Sequence, residues 1–243
     1  MERLLWISAV MLMFLFGCSG EQVPDSQNGS GTKTVPLPKA AAGEDKVGIS
    51  EFAKWQFLGM GDVQIDESEG AVSMSEAEGS KGVTLVSQKS YSQNVVVSFK
   101  VKPASYQSVN VVMLSASYKY TGEEIKVPAD YDGSFGFWTL GYVQNYLFAF
   151  HNAAHGQKPF IVKDPGLFRL AEADEHVTGE RWHDVEIGRN GLKLWMKIDG
   201  TVIAEAVDTD SKGLPGGKIC FRLRGTEDSA ASALFKDVVI KDE

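Results

Sequence analysis

Cysteine is nearly absent: two residues in a chain of 243, which rules out a disulfide-built scaffold. Positive charge is not in excess either, with Lys+Arg 24 against Asp+Glu 32 and a formal net charge of -8. Nucleic-acid binders concentrate lysine and arginine to neutralise phosphates, so no nucleic-acid partner is expected. No glycine-rich loop stands between a strand pattern and a helix pattern, and no long amphipathic helix is evident. Together these absences exclude a nucleotide-binding α/β design. A bilayer-spanning run of about 20 apolar residues is also missing near the N-terminus. The apolar stretch there, residues 4–16, is shorter and contains Ser8. His151 and His155 stand four apart, but a strand-like pattern precedes them and no glutamate follows His151. That excludes the helical His-Glu-x-x-His zinc motif, and no metal is assigned from side chains.

What is present is ordinary for a globular chain: 43% apolar residues and 25 glycines. Residues 1–17 combine a basic start, Met1-Glu2-Arg3, with a short apolar core, the pattern of a secretory signal peptide. The stretch ends in Leu15-Phe16-Gly17-Cys18-Ser19, which resembles the bacterial lipoprotein processing box. That resemblance implies cleavage before Cys18, acylation of its sulfur and a lipid membrane as partner. It implies an exported, lipid-anchored envelope protein, and Ser19 points to the outer membrane if the source is Gram-negative. Two or three acyl chains hold a soluble domain on a bilayer, whereas one is marginal. Residues 18–48 then form the lipidated cysteine and a flexible tether, rich in glycine, proline and serine and without aromatics.

Residues 49–243 read as a single domain built of strands. In Asn94-Val95-Val96-Val97-Ser98-Phe99-Lys100-Val101, one face collects Val95, Val97, Phe99 and Val101, the period of a strand covered on one side. Residues 109–116 are apolar on both parities after Asn110, which predicts a central strand or one facing another layer. Further strands are expected over 145–152, 192–198, 201–207, 219–224 and 233–240, with a hairpin turn at Asp199-Gly200. Many strands joined by glycine-rich turns predict an all-β, two-sheet antiparallel jelly-roll sandwich.

The last third carries Gly179-Glu180-Arg181-Trp182-His183-Asp184-Val185-Glu186-Ile187, then 191–200, Gly217-Lys218-Ile219 and 233–240. This order resembles the concanavalin A-like lectin/glucanase superfamily, and most nearly the bacterial polysaccharide-utilisation lipoproteins of that fold. The resemblance implies two curved sheets with carbohydrate on the concave face. It also leaves open a structural calcium held by backbone carbonyls, which sequence does not reveal. The glucanase signature Glu-x-Asp-x-(x)-Glu is not reproduced: Asp62-Val63-Gln64-Ile65-Asp66-Glu67 lacks the leading glutamate. Asp184 and Glu186 share a strand face beside Trp182 and read as outward polar residues.

Candidate chemistry gathers in residues 135–158. Trp138 is a stacking candidate, because an aromatic face offers flat apolar area to a sugar ring. His151, Tyr142 and Tyr146 are candidate acids or bases, and Lys158 a candidate to neutralise a sugar carboxylate. A uronate lyase needs such a base for the C5 proton and a cation or donor for the enolate-like carboxylate. Asn152, His155 and Arg169 are placed as binding groups beside them. Lys193 and Trp195 on one strand and Arg222 on another form a basic aromatic strip if both strands line the concave sheet. The expected function is hydrolysis or lysis of a neutral or anionic glycan. Glycan binding without chemistry, and an envelope structural or protein-interaction domain, remain as alternatives. Oligomeric state is not legible.

Overall fold

The computed structural model describes residues 43–119, 121, 124–141, 143–226 and 229–243. Every strand pairing is antiparallel, and the strands form two sheets. The first sheet runs in the order β13 (Thr201–Val207), β12 (Lys193–Ile198), β11 (His183–Asn190), β6 (Asn94–Pro103), β15 (Ser232–Asp242), β4 (Ala71–Glu76), β3 (Gly61–Asp66). A further strand, β1 (Gly43–Val47), pairs with β15. The second sheet runs β10 (Phe168–Glu172), β9 (Phe160–Asp164), β8 (Val143–Asn152), β7 (Val109–Tyr118), β14 (Lys218–Arg224), β5 (Val83–Val86), β2 (Gln56–Gly59). This is a two-sheet antiparallel jelly roll, as the alternation predicts. β1 falls inside the stretch whose composition reads as tether, so the folded part begins by Gly43 instead of residue 49. Val47 explains the difference, because it is buried in the core.

The inner faces follow the period of two. β6 buries Val95, Val97, Phe99 and Val101 and leaves the alternate residues half-exposed. Across from it β14 contributes Ile219, Phe221 and Leu223, and β8 contributes Tyr146, Phe148 and Phe150. Phe221 sits edge-on to Phe99 at 4.9 Å and to Phe52 at 5.1 Å, a packing favoured by the ring quadrupoles.

A second apolar layer lies on the other side of the second sheet. Val111, Met113, Leu147, Ala149, Val162 and Cys220 face outward there, and the β7–β8 connection folds over them. That cover brings Tyr131, Phe135 and Phe137, together with Trp138 from a single helical turn, α2 (Gly136–Thr139). It is the other layer that the two-sided apolar pattern of β7 requires. Cys220 is buried beneath it, and burial pushes its thiol well above the usual range. No helix among the described residues is long and apolar enough to cross a membrane.

Candidate functional site

On β14 the residues that do not face the main core are Lys218, Cys220, Arg222 and Arg224, so the strand points two guanidinium groups along one outer face. Arg222 is buried, and its Nη atoms donate to Thr84 Oγ1 (3.3 Å), Tyr131 Oη (3.4 Å), and the carbonyls of Lys81 and Gly133 (2.8 Å each). None of these partners is a carboxylate. The seat exists only because glycine occupies two positions. A Cβ on Gly82 would fall 2.2 Å from the guanidinium, and one on Gly133 would fall 1.9 Å from the Gly82 carbonyl oxygen. Both also have positive φ, where a side chain is strained. Arg222 thus clamps the cover to the β4–β5 loop.

On β8 a bulge decides what reaches the surface. Val109 of β7 pairs with Asn152 while Asn110 pairs with Phe150, so His151 is the extra residue, and its φ is 45°. The slip turns Asn152 onto the face of Ala149 and sends His151 elsewhere. His151 is buried with Nε2 donating to the Ser105 carbonyl (2.8 Å), and its Nδ1 accepts from the Thr178 hydroxyl. A carbonyl can only accept, which fixes the proton on Nε2. Burial lowers the pKa of His151, and both ring nitrogens are occupied by neutral groups.

The cover leaves one end of the outer face open. A hollow of about 380 Å³ forms there, with Val109, Val111 and Ala149 as floor and Phe135 and Phe160 as walls. Its polar lining is Asn152, His155, Arg222, Arg224 and Thr226. Asn152 is fully buried: Nδ2 donates to the Lys158 carbonyl (2.8 Å), while Oδ1 has no partner. Phe160 lies beneath the Arg169 guanidinium at 3.9 Å and meets the His155 ring edge-on at 5.7 Å. A second hollow, about 500 Å³, shares Arg224, Gly225 and Thr226 and continues past Glu76, Glu78 and Ser80. Glu76 Oε2 accepts the amides of Gly225 and Ala231, and its buried Oε1 has no partner. Among the described residues, no carboxylate lines the first hollow.

The other sequence-derived candidates are scattered. Trp138 is wholly buried, with Nε1 donating to Tyr131 Oη (2.7 Å), so it covers the sheet and offers no stacking face. Tyr146 points into the main core, donates to Asp208 Oδ2 (2.5 Å) and accepts the Leu214 amide (3.1 Å). Burial, with Asp208 adding to it, pushes its pKa above the ordinary tyrosine value. Lys158 is exposed, and the structure uses its carbonyl to hold Asn152. Arg169 reaches the hollow only through Phe160 and pairs with Glu172 at 3.3 Å.

Lys193 and Trp195 are on the outer face of the first sheet, the opposite side of the sandwich from Arg222. Trp195 lies across Gly188, where a Cβ would meet its ring at 2.1 Å, and donates to Glu186 Oε1 (2.9 Å). Lys193 pairs with Glu205 at 3.4 Å. The basic aromatic strip expected of these strands is therefore not formed, because β12 and β14 belong to different sheets. Tyr142 and Cys18 lie outside the described residues. Sequence reasoning did not single out Phe135, Phe160 or Thr226, and read Arg224 as a residue of a solvated face. Arg224 had a signal, since it shares the parity of Arg222. Among the described residues, no group of three or more His, Cys, Asp or Glu side chains is gathered as a metal site.

No family model and no curated protein matches the sequence. Among solved structures, a Bacillus subtilis protein of unknown function with a galectin-like fold is similar at TM-score 0.69 and 14% identity, over 85% of this chain and 98% of the other. The carbohydrate binding module CBM66 from Bacillus subtilis is similar at TM-score 0.51 and 13% identity, over 85% and 100%. A Bacillus licheniformis β-glucanase is similar at TM-score 0.55 and 11% identity, over 84% and 100%. At these identities the likeness is one of fold. The chain has the concanavalin A-like lectin/glucanase β-sandwich, and it is the site that must say what it does.

Proposed function

We propose that the protein binds a carbohydrate in the hollow beside β14 and does not cleave it, while lipid on Cys18 holds it at the cell envelope. The observation that carries this reading is the lining itself: apolar walls, a fully buried amide oxygen with no partner, and no carboxylate among the described residues. A sugar ring presents apolar C–H faces to Phe160 and hydroxyl donors to Asn152. Glycosidases of the usual kind need two carboxyl groups flanking the bond, and this hollow supplies neither. His151, the leading acid–base candidate, has no nitrogen free for a substrate. The fold supports the reading as well, since two of the similar structures are a carbohydrate binding module and a β-glucanase.

Isothermal titration against a glycan panel tests the proposal, with reducing-end and unsaturated-uronate assays run on the same samples. Phe160→Ala is expected to weaken binding about tenfold, through loss of one apolar wall of the hollow. Unchanged affinity would move the site elsewhere. Product release would favour a second reading, glycosidic cleavage, in which Glu76 and Glu78 of the adjoining hollow supply the carboxyls. For the anchor, Cys18→Ser is expected to abolish lipid labelling and release the protein from the membrane fraction. Retention of both would overturn that part.

A further inference from the structure

The geometry points to an anion seat at Arg224, where the two hollows meet, so that the saccharide taken here carries a carboxylate or sulfate group. This rests on the carbohydrate reading above and names its ligand class. Arg222 is spent on four neutral partners, so a positive charge lies buried beside the hollow without a counter-ion among the described residues. Arg224 is exposed, lines both hollows, and has no hydrogen bond or ion pair among the described residues. By contrast, Lys100 pairs with Asp184 and Arg181 with Asp199, each at 2.8 Å.

In a chain of net charge -8, the first hollow therefore holds two guanidinium groups and no described carboxylate. Glu76 and Glu78 line only the second hollow, which places an anion on the first-hollow side of Arg224. The second requirement comes from Asn152, whose buried Oδ1 needs a donor. One molecule meets both needs: an acidic sugar whose anion takes the planar fork of Arg224 while a hydroxyl reaches Asn152. Arg224 lines both hollows, so an anion held there stands at the border of the two.

The experiment titrates the full chain with oligogalacturonates against their methyl esters, and with sulfated galactan oligosaccharides against their desulfated forms. The acidic member of one pair is expected to bind about tenfold or more tightly, an advantage that shrinks as salt is raised. Whichever pair shows the difference identifies the group. Arg224→Gln is expected to erase that advantage, so that the acidic and neutral members of the pair bind alike, with circular dichroism confirming the fold of this surface variant. Equal affinities within both pairs, or an advantage that survives Arg224→Gln, would overturn the anion seat and leave the carbohydrate reading standing. Binding of no member of either pair would overturn both.

Discussion

Asp164→Asn is expected to make the protein more stable at neutral pH and to remove a loss of stability that the wild type should show between about pH 4 and pH 7. Asp164 ends β9 on the outer face of the second sheet and is 1% exposed. Its Oδ1 accepts the Leu167 amide at 2.9 Å, but Oδ2 has no partner. Burial pushes its carboxyl up from 3.8 to about 7. Its cross-strand neighbour Asn145 has the matching defect, an Oδ1 that accepts nothing. Below pH 4 the carboxyl is protonated in both the folded and unfolded chains, and burial costs it little.

As pH rises toward 7 the unfolded chain releases a proton that the folded chain retains, so stability falls; above 7 the deficit is constant. A rise of about three pH units corresponds to about 4 kcal/mol as an upper bound. Asparagine keeps the acceptor for Leu167 and brings an N–H toward Asn145 Oδ1. His151 works in the opposite direction, because burial lowers its pKa. Its contribution is intact above its ordinary value of 6.5 and is lost as pH falls through the lowered one. The difference between wild type and variant, measured by urea denaturation from pH 4 to pH 8, isolates Asp164. Parallel curves would show that its carboxyl is paired or hydrated in the folded state.

Trp138→Ala is expected to cost about 3–5 kcal/mol, the range for truncating a fully buried large aromatic residue. Trp138 sits between the second sheet and the rest of its cover, edge-on to Phe137 at 5.0 Å. Its carbonyl accepts from Asn145 Nδ2 (3.0 Å), and its indole N–H holds Tyr131, which in turn touches Arg222. The loss should therefore appear twice: as a lower urea midpoint, and as weaker ligand binding once the Phe135 wall and the Arg222 seat loosen. A cost under about 1 kcal/mol would mean that the cover contributes little packing.

The strands of the sandwich were readable because period-two alternation is a local property. β6 is the clearest case, with each predicted inward residue buried. The site was less readable because it depends on which strand lies beside which. The side chains of β8 obey parity up to Phe150, and then one bulged residue reverses it, so Asn152 lines the hollow while His151 is locked behind it. Nothing in 145–152 alone announces that slip; it is visible only in the register with β7. Trp195 shows the same limit: the room for its ring comes from Gly188 on the neighbouring strand. Arg222 and Lys193 have similar patterns along their own strands and end on opposite sides of the molecule.

The position of β15 has a consequence for biogenesis. This last strand is paired along both edges: β6 takes one, while β4 and then β1 take the other. Residues 43–47, 71–76 and 94–103 thus meet in one sheet only through residues 232–242. Such long-range closure is slow to form and cannot begin until the whole domain has been synthesised. Until then β1, β4 and β6 each present an unpaired edge, the kind of surface that recruits other chains.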